Sequence, residues 1–166
     1  IVVTASNGDT KTCTVNIRRM SQNADIAGLT VNNRGTPNDS SNRPLTPEFD
    51  PDTTDYAVTE AVDQYGRISL WTATADNRAT KRVYAVSGVD LSYSNCNAET
   101  GEITSTNNYN GYSSYRVYYQ DPETTPAYVR IEVTAEDGTV KNYYVCLTAG
   151  AAYAEPVQPV TQTVYV

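Results

Sequence analysis

The chain contains no histidine. That one absence removes histidine-based triads, the side chain most often used as a general base, and most zinc sites. Lys and Arg number 12 against 19 acidic residues, giving a formal net charge of −7 and a pI near 4.5. A phosphate backbone is bound by clustered Lys and Arg, so no nucleic-acid partner is expected. No apolar run approaches the roughly 18 residues that a membrane helix needs, so no membrane span is expected either. No glycine loop is built to cradle phosphate. Three cysteines, Cys13, Cys96 and Cys146, are too few for a disulfide framework, and none stands at a metal-ligand spacing. One bridge, Cys96 to Cys146, and three unpaired thiols are the alternatives.

What is present points to an all-β protein of the secreted type. Thr, Val, Asn, Ser and Tyr abound, Tyr outnumbers Phe by 14 to 1, and long stretches of helix formers are missing. With 166 residues the chain can hold one domain with a proper core plus extra segments. An internal repeat says which parts are extra. IEVTAEDGTVKNYYVCL at 131–147 reads as two strands joined by a tight Asp137-Gly138 turn, and IVVTASNGDTKTCTVNI at 1–17 follows the same pattern at an offset of 130 residues. Residues 1–19 therefore read as the terminal hairpin of a preceding repeat, turning at Asn7-Gly8. On this reading the chain is a piece of a longer precursor whose export signal lies upstream.

Residues 20–25 form a connector too short to let adjoining modules tumble, so a stiff rod is expected. A first strand follows at 26–31, then a loop of Asn, Ser, Gly, Pro and Thr. In 45–56, Pro47 and Pro51 forbid a central strand and Asp50-Pro51 favours a turn, so Phe49 and Tyr56 enter one core from either side of it. The next strand, 67–75, turns Ile68 and Leu70 inward and Trp71 the other way. Strand 80–87 is read with Tyr84 and Val86 inward. A polar, Tyr-bearing stretch then runs to 114, and pattern returns at 115–120. In the last hairpin Val129, Ile131, Val133 and Ala135 share one face. Residues 150–166 form an extended tail, a candidate donor strand with Val160, Val164 and Val166 on one side.

The order Ile26-x-x-Leu29-x-Val31, Leu45-x-Pro47-x-Phe49-Asp50-Pro51-x-x-x-x-Tyr56-x-Val58, Val133-Thr134-Ala135-x-Asp137-Gly138 and Tyr143-x-Val145-x-Leu147 resembles the bacterial cadherin-like β-sandwich family. The resemblance covers about residues 25–149. It implies an antiparallel, immunoglobulin-like sandwich of about seven strands, spanning 26–149, that occurs in tandem on cell-surface and cell-wall proteins. Two departures are a stretch at 95–118 longer than the family needs and a tail outside it.

Asp50, Asp52 and Asp55 could serve a hard cation such as calcium. Aspartates beside Pro and Thr in a turn more often cap backbone amides, so no metal and no cofactor are expected. Tyr109, Tyr112, Tyr115 and Trp71 offer flat faces with polar tips, suited to stacking on sugar or to a protein interface. Ile1, Val3, Val15, Ile17, Val160, Val164 and Val166 are open-edge residues suited to assembly. The function expected is therefore non-enzymatic: an extracellular structural or adhesion module in a tandem array or filament, its partners like subunits or adjacent modules. The alternative is a carbohydrate-binding module of a secreted or cell-wall protein, with a polysaccharide as partner.

Overall fold

A computed structural model describes residues 1–33, 35–59, 66–121 and 125–148. The tail, with Val160, Val164 and Val166, lies outside the described residues. Among those described there is no helix, and eleven strands form three sheets. β1 (Val2–Thr4) and β2 (Thr10–Thr12) pair with each other as a separate hairpin. A four-stranded sheet runs in the order β3 (Ile26–Asn32), β5 (Arg67–Thr74), β9 (Tyr112–Tyr118), β8 (Asn107–Tyr109). The five-stranded sheet runs β4 (Asp55–Val58), β11 (Val140–Leu147), β10 (Ala127–Thr134), β6 (Thr80–Ser87), β7 (Glu102–Ile103). Its β4–β11 pair is parallel and the other ladders are antiparallel, so the sheet is mixed.

The two large sheets share one core, as in a sandwich. Ile26, Leu29 and Val31 of β3, Ile68 and Leu70 of β5, and Tyr115 and Val117 of β9 are buried together with Tyr56, Val83, Ile131, Val133, Tyr143 and Val145 of the other sheet. Period-two alternation places these side chains on one face of each strand and the polar ones on the other. The bulge between Ile26 and Gly28 in β3 lets Leu29 and Val31 keep the inward face.

The Asp50-Pro51 turn stays exposed while its flanks reach this core, Tyr56 buried in it and Phe49 half-buried against it. The Phe49 and Tyr56 rings stack with centroids 6.2 Å apart. Tyr56 Oη donates to the Asp50 carbonyl at 2.5 Å and accepts from the Asp50 amide at 3.3 Å. At the far side of the turn, Lys141 Nζ donates to the Pro51 carbonyl at 2.7 Å and to Asp25 Oδ1 at 2.6 Å, while Tyr143 Oη donates to the same carbonyl at 3.0 Å. The connector, the turn and β11 are thereby tied at one point.

Several expectations are corrected. In β6 the inward residues are Val83 and Ala85; Val86 is exposed, and Tyr84 lies outward under the Arg130 guanidinium, 4.5 Å from its ring centroid. The polar stretch before Tyr115 is ordered as β7, β8 and the start of β9, so the two large sheets hold nine strands. Of the two alternatives for the cysteines, the unpaired one holds: Cys13, Cys96 and Cys146 are free thiols.

Candidate functional site

The first surface is the β1–β2 hairpin. Its register is Val2 to Thr12, Val3 to Lys11 and Thr4 to Thr10; that of β10–β11 is Glu132 to Asn142, Val133 to Lys141 and Thr134 to Val140, the same pairing 130 residues on. The turns agree in detail. Gly8 has φ of 88° and Gly138 of 92°, a region open to glycine because it lacks a Cβ. The Ala5 amide reaches the Asp9 carbonyl at 2.7 Å where Ala135 reaches Thr139 at 2.8 Å. Asn7 Oδ1 accepts from the Asp9 amide at 3.1 Å where Asp137 Oδ1 accepts from Thr139 at 2.9 Å.

Burial is where the two hairpins differ. Ile131, Val133, Tyr143, Val145 and Leu147 are fully buried, whereas their counterparts Ile1, Val3, Cys13, Val15 and Ile17 are exposed, Ile1 by 77% and Ile17 by 93%. Ile1 and Cys13 exchange both backbone hydrogen bonds at 2.8 Å, so they are opposed as Ile131 and Tyr143 are. Every residue from 1 to 20 is exposed. A two-stranded hairpin has no core of its own.

The hairpin meets the sandwich through Glu136. Arg18 forks onto that carboxylate, with Nη1 2.6 Å from Oε2 and Nη2 against Oε1. Oε2 also accepts from the Ser21 amide at 3.1 Å and from Arg78 Nη1 at 3.1 Å. The Asp137 amide returns a bond to the Ser21 carbonyl at 3.2 Å. These donors, Arg18 first, pull the Glu136 carboxyl down to about 2. Sequence reading passed over Glu136, because an acidic residue beside a turn carries no mark of a partner more than a hundred positions away.

The second surface is the outer face of the four-stranded sheet, where Trp71 lies. Trp71 points away from the core as expected, yet it is only 6% exposed and lines a polar pocket of ≈ 270 Å³. Tyr109 and Tyr112 stand opposite each other across a tight turn at Asn110-Gly111, both with positive φ. Tyr109 is exposed, and the Tyr112 ring rests over Gly28. Tyr115 is corrected: it is 5% exposed and in the core, on the face opposite Trp71, so it shares no ligand surface with it. Burial raises its phenol pKa above the usual value. A third concavity, of ≈ 420 Å³, lies beside Tyr128, Tyr144 and Cys146 on the five-stranded sheet.

The aspartates of the Asp-Pro turn make local hydrogen bonds, one to a backbone amide and one to a side-chain hydroxyl. Asp50 Oδ1 accepts from the Asp52 amide at 2.8 Å and Asp55 Oδ2 from the Thr54 hydroxyl at 2.7 Å. Among the described residues no three His, Cys, Asp or Glu side chains are grouped to hold a metal ion. No described helix is long and apolar enough to cross a membrane. No family model, curated protein or solved structure matches the chain.

Proposed function

We propose that this chain is a non-enzymatic extracellular module of the bacterial cadherin-like kind, an immunoglobulin-like sandwich joined end to end with like modules in a surface array. The observation that carries the reading is the hairpin pair: one register and one turn geometry, buried at 131–147 and bare at 1–17. A bare apolar face of this pattern fits the core that covers its twin, namely strands equivalent to β3–β9 in a preceding module. A second copy of this chain has no such vacancy, since its own β10–β11 hairpin already fills the place. Tandem linkage is therefore favoured over polymerisation by strand exchange.

The lack of histidine supports a non-enzymatic role. The Arg18 and Ser21 contacts to Glu136 hold the junction at the end of the sandwich where the connector enters. Modules repeated this way stack head to tail into a rod whose work is spacing and adhesion. Small-angle X-ray scattering of the source polypeptide carrying the preceding repeat tests this. A rod lengthened by one module is expected; a freely bent pair of beads would overturn the reading.

A further inference from the structure

The pocket at Trp71 has a chemistry that end-to-end assembly does not use. Three rows cross the sheet's outer face: Thr30, Trp71, Ser114 and Asn107; then Asn32, Ser69 and Arg116; then Arg67 and Tyr118. Arg67, Ser69, Trp71, Asn107, Ser114 and Arg116 line the pocket, and the loop after β3 closes it with a lip at Asn33 and Gly35. That loop is pinned by Asn32 Nδ2, which donates to the Thr36 carbonyl at 3.0 Å and to Asn42 Oδ1 at 2.8 Å. We propose that this pocket binds a single uronic acid unit of an acidic polysaccharide.

Charge gives the first reason. In a chain of net charge −7, two arginines stand as diagonal neighbours on adjacent strands, a placement that sets them about 7–8 Å apart. Arg67 Nη1 reaches Tyr118 Oη at 3.4 Å, and Arg116 has no carboxylate within ion-pair distance among the described residues. A guanidinium fork matches a planar carboxylate.

The neutral lining gives the second. Ser69, Ser114 and Asn107 offer hydroxyl and amide groups of the kind that bind ring hydroxyls, and the indole offers a flat surface for the C–H face of a pyranose. Thr30 Oγ1, Asn32 Oδ1 and Trp71 Nε1 are buried with no hydrogen-bond partner among the described residues. Buried polar groups are nearly always paired, and of these three residues Trp71 lines the pocket itself. A volume of ≈ 270 Å³ is small for a ligand pocket and suits one ring. An extended acidic peptide would instead need a groove or a sheet edge for its backbone amides, and the pocket lies on a sheet face.

Trp71 is the only tryptophan, so its emission reports on the site alone. The full chain is titrated with oligomers of galacturonate, glucuronate and mannuronate, with neutral maltotriose and with penta-aspartate. At least one uronate is expected to give a saturable emission change, with at least tenfold weaker binding for maltotriose, for penta-aspartate and for Arg116→Gln. Arg116→Lys, which keeps the charge without the fork, is expected to fall between, and circular dichroism checks that both variants fold. No response to any uronate at millimolar concentration would overturn the proposal. So would equal binding of maltotriose or penta-aspartate, or unaltered binding by both folded arginine variants.

Discussion

Glu136 is the residue through which the connector is held, and its titration makes that hold pH-dependent. An ordinary Glu has a pKa near 4.5, and in the folded chain this one lies at about 2. A depressed carboxyl stabilises the folded contact fully above its unfolded value and loses that contribution as pH falls through the folded one. The Arg18 and Ser21 contacts therefore hold above about pH 4.5 and release on the way down to about 2. Carboxyl-carbon NMR should show Glu136 titrating near the bottom of that window, with faster exchange of the Ser21 amide as it protonates. Glu136→Gln should weaken the acid dependence, leaving the part that Asp76 and Asp137 contribute through Ser21 and Gln22. Tyr56 gives a second test at this scale. Tyr56→Phe removes the part-buried hydrogen bonds to Asp50 and should cost about 1 kcal/mol by chemical denaturation. The plug role of Phe49 and Tyr56 was legible because proline and Asp-Pro chemistry is local. Tyr115 was not, because its face depends on strand parity, and parity is set by the Asn110-Gly111 turn, which ends four residues before it. Counting from that turn, Tyr112, Ser114 and Arg116 share one face, and Tyr115 and Val117 take the core.

Strands β3 and β10 were readable because their inward residues are apolar and their outward ones polar, and β5 and β11 because Ile68, Leu70, Tyr143, Val145 and Leu147 alternate, although Trp71 and Tyr144 lie on the outward faces. β6 misled, since Val86 and Tyr84 are apolar on the outward face, where Tyr84 is covered by Arg130. β7, only Glu102 and Ile103, and β8, only Asn107 to Tyr109, were unreadable because strands of two or three residues are too short to show an alternation. The packing of β3 against β9 depends on a missing side chain. A Cβ at Gly28 would lie 2.0 Å from Tyr112 Oη. Gly28→Ala should thus displace the Tyr112 ring at a small cost, since the atoms it meets are the outer end of a half-buried side chain. A shift of the Tyr112 ring signals in NMR, together with lowered unfolding temperature, would check it; an unchanged Tyr112 environment would contradict the packing.

At the scale of the whole molecule, the repeat and the bare face of its first copy were both latent in the sequence. The spacing of 130 residues could be counted directly, while exposure needed coordinates. The structure adds that the connector is clamped to the sandwich at Glu136, through Ser21, and at Lys141, through Asp25. The central claim is that β1–β2 closes the core of a preceding like module. Cys13 reports on it, because its counterpart Tyr143 is fully buried whereas Cys13 here is exposed. The measurement is the alkylation rate of Cys13, followed by mass spectrometry in this chain and in a longer polypeptide that places a like module ahead of residue 1. Protection by orders of magnitude in the longer polypeptide is expected, since a buried thiol reacts only through opening; equal rates in both would contradict the claim.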